Sequence, residues 1–456
     1  EYFFTSFDAY EAGTYILSEG THYLTAAANA HDAVNNILAV KGKTVADGMT
    51  ADGDPELVES LEYQFDAETY STSMGTGAEV RSLFDFGDIN RYEGRGENSV
   101  EYISRNDWEG TVKLWQDEDH DTLSDNRVIL TMNDQIAKDV VLDEEDIPAD
   151  PEGLEFPVMG TGEHAIQLID MRTDANGDPL PYDDPLWDDF LDQLTYEDLS
   201  KICAIGLRMT VGVQSVGKPE TLDHNGPSGM TQPYGNGQNG YAVINNDPDK
   251  DSTGTCYPCN GIIAATFNDR LAEEIGELIG EDCMWAGYAG LYGTGINIHR
   301  TPYSGRVFEY FSEDGILTGL TAAKVSAGIQ SKGVYVYNKH FVINDQENKR
   351  AGLGTWTTEQ ALREIYLRAF ELPIIYADAK CVMSSFNRIG ANWSATSYEL
   401  MTEWLRGEAG MTGFAVTDMF DTQYMSKPHE VLAGNDIPDG FPGRVDKTTK
   451  LSSISD

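Results

Sequence analysis

An aspartate closes an apolar run late in the chain, Gly413-Phe-Ala-Val-Thr-Asp-Met-Phe420. Phe414-Ala-Val-Thr417 reads as a buried strand, so Asp418 stands at its C-terminal tip. A carboxylate there faces a barrel mouth, where it can attack an anomeric carbon, bind a metal, or cap the turn that follows. Metal binding needs further carboxylates or histidines at strand ends. One histidine, His340, is present, but Lys339 beside it repels a cation. A lysine next to a carboxylate instead keeps that carboxylate ionised, as a nucleophile requires. Lys339-His340 also gives several donors at one strand end, which suits sugar hydroxyls; a structural pair bonding loop carbonyls is the competing use. Arg306 and Glu309, in Gly305-Arg-Val-Phe-Glu-Tyr310, have the spacing of a simple ion pair.

These groups need strands to carry them. Buried strands are expected at 334–337, 381–384 and 414–417, and a polar cluster follows each directly: Asn338-Lys-His340, Ser385-Phe-Asn387 and Asp418. Amphipathic helices are expected at 187–205 and 267–283 from their apolar spacing. Thr357 with Gln360 reads as a capping box opening another helix. A further helix at 398–406 is expected to stop at Gly407. Strands alternating with helices imply parallel pairing. Functional groups at the C-terminal ends of several strands are the mark of a (β/α) barrel. An open doubly wound sheet would show a glycine-rich phosphate loop after its first strand, and none is visible. The expected fold is therefore α/β, a (β/α)8-type, TIM-like barrel over 186–445, with a short tail at 446–456.

The first residues read as β. Thr14-Tyr-Ile-Leu17 and His22-Tyr-Leu-Thr25 flank Ser18-Glu-Gly-Thr21, the pattern of a hairpin with Gly20 at the turn. Two strands are not stable alone, so residues 1–40, with a short helix at 33–39, read as the end of a sandwich. Residues 41–185 are irregular and acidic. They include Glu93-Gly-Arg-Gly96 and the run Asp117-Glu-Asp-His-Asp121, which lacks the glycine and spacing of a calcium loop. So long an irregular stretch suits a connector wrapping the barrel.

The 456 residues carry a formal charge of −45, which argues against nucleic acid as a partner and does not hinder neutral ligands such as sugars. No apolar run is long enough to span a membrane. The five cysteines are odd in number and sparse, which argues against a disulfide framework. Cys256-Tyr-Pro-Cys259 lacks the second pair a zinc site needs and reads as two structural thiols. The chain opens on Glu1 with no signal peptide, as expected after processing or for a piece of a longer polypeptide.

Together these segments resemble glycoside hydrolase family 3. The resemblance rests on Gly293-Thr-Gly-Ile-Asn-Ile-His-Arg-Thr-Pro302, Gly305-Arg-Val-Phe-Glu-Tyr-Phe-Ser-Glu-Asp314, Lys339-His-Phe-Val-Ile-Asn-Asp-Gln-Glu347, Met383-Ser-Ser-Phe-Asn387 and Leu405-Arg-Gly-Glu408, in family order with the Asp418 strand behind them. The opening, with Asn29-Ala-His-Asp-Ala-Val-Asn-Asn36, resembles the end of the fibronectin type III-like domain of the reversed domain-order subgroup. Ser104-Arg-Asn-Asp-Trp-Glu109 resembles the connector after it. An upstream sandwich domain is then expected to lie outside this sequence.

The resemblance implies a retaining exo-β-glycosidase, foremost a β-glucosidase acting on terminal non-reducing β-D-glucosyl residues, with a β-xylosidase close to it. Asp418 would be the nucleophile, and the acid/base a Glu on the absent domain. Relatives with a single barrel use an Asp-His pair in a loop after the Lys-His segment. Phe341-Val-Ile-Asn-Asp-Gln346 lacks that histidine. Arg306, Lys339 and His340 are implied as hydroxyl ligands. The family's Asp-Gly-Pro motif reads Asn225-Gly-Pro227 here, with Asp223 as the candidate to compensate. Met419 and Phe386 stand where many members have an aromatic and a tyrosine. The alternative is a carbohydrate-binding or catalytically impaired barrel acting as a partner or scaffold subunit. A metal-dependent aldolase on the same fold is remote. No cofactor is implied. The expected partners are a β-linked glucoside or oligosaccharide and a second chain or missing domain supplying the acid/base. The thiols permit the cytoplasm, and the acidic surface and sugar substrate suit an extracellular or cell-surface location, which is slightly favoured.

Overall fold

The computed structural model describes residues 4–95, 100–102, 133–142, 158–161, 165–206, 208–230, 255–419 and 424–440. The acidic run at 117–121, the segment at 104–109 and the tail at 446–456 lie outside the described residues. The chain divides into two units, Glu1–Ser73 with Gly77–Ser82, and Met74–Thr76 with Leu83–Asp456.

In the first unit, β1 (Ser6–Asp8) pairs antiparallel with β2 (Thr14–Ile16), and β3 (Gly20–Thr25) pairs antiparallel with β4 (Val58–Tyr63). The expected hairpin between 14–17 and 22–25 is therefore corrected. Gly20, at φ +123, opens β3 and pairs with Tyr63 rather than making a turn. The β1–β2 ladder runs over three residue pairs and the β3–β4 ladder over six. Helix α1 (Ala30–Val40) begins where Asn29 Oδ1 accepts the Asp32 N–H at 2.9 Å. Phe7, Tyr15, Leu17, Tyr70 and Val80 form a core of their own. The unit runs past residue 40 to Ser82.

The second unit is built on one sheet of seven strands. In chain order they are β5 (Met209–Thr210), β6 (Thr221–Asn225), β7 (Gly290–Tyr292), β8 (Tyr335–Phe341), β9 (Cys381–Ser384), β10 (Ala415–Met419) and β11 (Ile437–Asp439). They lie side by side in that same order, parallel except for β5, which joins β6 by an antiparallel hairpin. This corrects the expected closed eight-stranded barrel: among the described residues the ladder is open between β5 and β11. The two edges still meet through a side chain, because the Arg208 N–H donates to Asp439 Oδ1 at 3.1 Å. The sheet is thus curled rather than hydrogen-bonded into a ring.

Strand alternation sets its two faces. Leu291, Val336, Val382 and Ala415 point to the outer helices and join a core with Ile275 and Ile279 of α4 (Asp269–Ala286) and Ala322 and Val325 of α5 (Gly315–Gln330). Tyr292, Tyr337, Cys381, Met383, Val416 and Ile437 fill the concave interior. Helices α4 and α5 cross closely at glycines: a Cβ on Gly276 would lie 2.3 Å from the Val325 carbonyl oxygen. Burying both faces explains the near-continuous apolar strands.

Three helix expectations change in detail. The stretch at 187–205 is two helices, α2 (Leu186–Leu191) and α3 (Tyr196–Ala204), because Thr195 and Asp198 form a capping box that restarts the chain. The cap of the helical stretch from Glu359 is Thr358, not Thr357, with its Oγ1 accepting the Ala361 N–H at 3.2 Å. The helix Glu399–Glu408 passes through Gly407, since π-helical winding carries it on, with the Ala409 N–H reaching the Trp404 carbonyl at 2.8 Å.

Candidate active site

Asp418 lies within β10 on the same face as Val416, so it extends the concave interior to the C-terminal ends of the strands. Its Oδ1 accepts the Met419 N–H at 2.8 Å. Its Oδ2 is buried and makes no hydrogen bond among the described residues. His340 Nε2 stands 3.6 Å from that oxygen. Burial raises the Asp418 pKa above its ordinary value, opposed by Arg350, Arg306, the Met419 N–H and Lys339. Lys339 favours the ionised carboxylate, as its sequence position suggests, but desolvation is the larger effect.

Lys339 and His340 come from the C-terminal half of β8. Lys339 Nζ donates to Asn225 Oδ1 at 2.6 Å, which places the end of β6 across the mouth from β8. Burial lowers the Lys339 pKa to about 8, despite Glu309 and Asp418 nearby. His340 is 1% exposed. Burial holds its pKa well below the usual value, with Arg306, Lys339 and Arg350 adding to the effect, so the ring is neutral at neutral pH. Asn297 fixes its backbone on both sides: Oδ1 accepts the His340 N–H at 2.7 Å and Nδ2 donates to the His340 carbonyl at 2.9 Å.

Arg306 does form the ion pair with Glu309 that its spacing suggested. It also faces Glu347 at 3.6 Å, and Glu347 in turn holds Arg350 at 2.8 Å. The Arg350 guanidinium lies 4.7 Å from the centre of the Phe386 ring, giving that phenyl group a cation-π role at the rim.

Asp223 is not brought to this rim. It lies two residues before Asn225 on the same strand, hence one layer deeper, and is 2% exposed. Both its oxygens are taken, Oδ1 by the Tyr335 hydroxyl and Oδ2 by the Tyr337 hydroxyl, each at 2.6 Å. Burial lifts its pKa to about 6. It therefore does not compensate for Asn225 in this structure.

Glu347 and Arg350 were within reach of sequence reasoning, since both follow the Lys-His segment at short spacing, but no local pattern marks their contact with Arg306 and Phe386. Asp439 was missed. It ends β11, beside Asp418, and its only sequence signal is an aspartate at the end of a short apolar run. Among the described residues no group of three or more His, Cys, Asp or Glu side chains is arranged to hold a metal. Cys256 is exposed and Cys259 half-buried, both unbridged. No described helix is long and apolar enough to cross a membrane.

Comparison with known proteins gives the same direction. Residues 249–434 match the glycosyl hydrolase family 3 N terminal domain. The chain is 39% identical over 210 residues to a probable beta-glucosidase I of Aspergillus oryzae, covering 46% of this chain and 24% of the relative. It is 33% identical over 260 residues to beta-glucosidase A of Butyrivibrio fibrisolvens, covering 56% of this chain and 29% of the relative. The chain thus spans between 24% and 29% of these relatives' length. Among solved structures, beta-glucosidase 3B from Thermotoga neapolitana in complex with glucose superposes with a TM-score of 0.53 at 31% identity, over 59% of this chain and 39% of that one. A beta-glucosidase from Paenibacillus barengoltzii, at 23% identity and a TM-score of 0.57, shares the fold over 96% of this chain and 42% of its own. The match over residues 249–434 and these relatives support a glycoside hydrolase family 3 N terminal domain in this chain.

Proposed function

We propose that this chain forms the nucleophile-bearing, sugar-binding part of a retaining exo-β-glucosidase that hydrolyses terminal non-reducing β-D-glucosyl residues. The observation that carries the reading is the buried, unpartnered Oδ2 of Asp418 at the strand ends, beside His340. An oxygen kept out of water with no donor on it is poised for attack on an anomeric carbon. Arg306, Lys339 and His340 supply the donors for the sugar hydroxyls, with the Asn225 oxygen already held by Lys339. The glycosyl-enzyme ester on Asp418 would then be hydrolysed by water. Protonation of the leaving group would come from a carboxyl about 5 Å away from the nucleophile, as retaining chemistry needs. We assign it to a glutamate on a domain or second chain beyond this sequence. The whole enzyme would therefore follow the reversed domain order, and its activity by this chain alone would be poor.

A test that bypasses the missing acid uses a 2-deoxy-2-fluoro β-glucoside with a dinitrophenolate leaving group, whose departure needs no proton. Intact mass should show one fluorosugar added to the native chain and none to Asp418→Asn, and peptide mapping should place it on Asp418. An adduct on another residue, or none at all, sinks the assignment.

A second reading, a carbohydrate-binding barrel with impaired catalysis, is favoured by one observation. Asn225 stands where the family motif has an aspartate, and its carbonyl is engaged by Lys339 rather than left for a sugar. Glucose binding by calorimetry with no adduct from the fluorosugar would select this reading.

A further inference from the structure

The ends of β10 and β11 bring a second carboxyl to the neighbourhood of Asp418. The two strands are parallel and paired, with Met419 opposite Asp439, so Asp439 lies one strand away and level with the residue after Asp418. Its position is fixed by several bonds. The Asp439 N–H donates to Thr417 Oγ1 at 2.9 Å. Its Oδ1 accepts the Arg208 N–H at 3.1 Å and the Tyr292 hydroxyl at 3.5 Å. The side chain is 5% exposed.

Among the described residues, the charged and titratable groups facing Asp439 come from four elements: Arg208 before β5, Asp223 on β6, Tyr292 on β7 and Asp418 on β10. Two of these are acids and only one is a cation. Two carboxylates at adjacent strand ends, both screened from water, repel each other strongly if both are ionised.

We propose that Asp439 is a positioning residue for Asp418: held as the neutral acid, it leaves Asp418 the single anion at the ends of β10 and β11, and its ionisation disables the nucleophile. This rests on the glucosidase reading above. Burial puts the Asp439 pKa at about 7, with Asp418 and Asp223 pushing it up and Arg208 and its N–H pulling it down, so the change falls near neutrality. Below that pH the proton stays on Asp439. Above it, a second anion forms beside Asp418, and repulsion through the low-dielectric interior displaces Asp418 from His340.

The experiment follows the rate of adduct formation by the dinitrophenyl fluoroglucoside across pH, using the full chain. In the native protein the rate should fall as pH rises through neutrality, to roughly a fifth or less at about pH 9 relative to about pH 6. Asp439→Asn, which cannot ionise, should match the native rate within about twofold at pH 6 and keep it at pH 9. Tyr292→Phe keeps the carboxyl but removes a donor to its anion, so it should move the fall to higher pH by about half a unit. A native rate that does not fall, an Asp439→Asn profile with the same alkaline loss, or, should that variant not fold, a Tyr292→Phe profile without the upward shift, overturns the inference alone. No adduct at any pH in the native chain sinks the glucosidase reading and the inference with it.

Discussion

His340 Nε2 lies 3.6 Å from Asp418 Oδ2, beyond hydrogen-bonding reach, and among the described residues no other donor reaches that oxygen. The neutral imidazole lends polarity to the rim without neutralising the anion, and Asn297 clamps its backbone from both sides. Replacing the ring with an apolar one should therefore cost binding more than chemistry. His340→Phe is expected to weaken glucose binding by about 10-fold or more, the worth of one or two hydrogen bonds, while fluorosugar labelling of Asp418 continues at saturating reagent. Calorimetry and intact mass read the two effects separately. Loss of labelling with unchanged binding would contradict this division.

The contact between Lys339 and Asn225 predicts the effect of restoring a carboxylate. The 2.6 Å bond is made to a neutral amide oxygen, and buried Lys339 titrates at about 8. Asn225→Asp places an anion at that distance, which should raise the Lys339 pKa. It also offers two acceptor oxygens to a sugar, and bonds to an ionised acceptor are roughly twice as strong as neutral ones. Glucose affinity should rise by about 10-fold. Calorimetry checks the affinity, and the pH dependence of Lys339 acetylation checks the pKa.

Buried acids make stability pH-dependent. Burial raises Asp345 and Asp439 to about 7 and Asp223 to about 6. Each is an acid whose folded pKa exceeds its unfolded value of about 4. Its contribution is fully present below about pH 4 and is lost as pH rises through the folded value, between about 4 and 7. The formal charge of −45 at neutral pH adds self-repulsion in the same direction. The urea midpoint should be higher at about pH 5 than at about pH 8. Asp345→Asn is the cleanest probe. It keeps an oxygen for the Ile298 N–H, which Oδ1 accepts at 2.7 Å, and removes the charge from the buried, unpartnered Oδ2. It should gain about 1–3 kcal/mol at pH 8 and nothing at pH 4. An equal gain at both values would rule out ionisation as the cause.

A charged network away from the rim holds the helices. Arg363, 1% exposed, donates to Glu359 Oε1 at 2.8 Å and to Glu408 at 2.6 and 3.1 Å. Glu359 also accepts the Leu83 and Phe84 N–H groups, at 2.9 and 3.1 Å. Arg363→Met strands two buried carboxylates and should cost about 3–5 kcal/mol, the range for breaking one half of a buried ion pair. Urea unfolding measures the loss. A smaller effect at acidic pH, where the Glu408 carboxylate, its pKa raised by burial, takes up a proton, is part of the expectation.

The continuous apolar run along Phe414-Ala-Val-Thr417 placed Asp418 at a strand end, and the Lys339-His340 pair closed another such run, so the residues of the rim were legible from local pattern. The family was legible too, because its motifs are contiguous and ordered. What lay beyond the sequence was pairing and depth. Asp223 and Asn225 share a face by the two-residue strand period, yet they sit a layer apart, about 7 Å along the strand. Only the registers of β6 and β8 on β7, the strand between them, decide that Tyr335 and Tyr337 meet the first and Lys339 the second. In the same way, a strand at residues 14–16 was readable, but its partner at residues 6–8 was not, since a short ladder takes whichever edge tertiary packing presents. Asp439 beside Asp418 is the sharpest case: nothing local links two aspartates 21 positions apart until β10 and β11 pair and the curl of the sheet carries Arg208 onto the second of them.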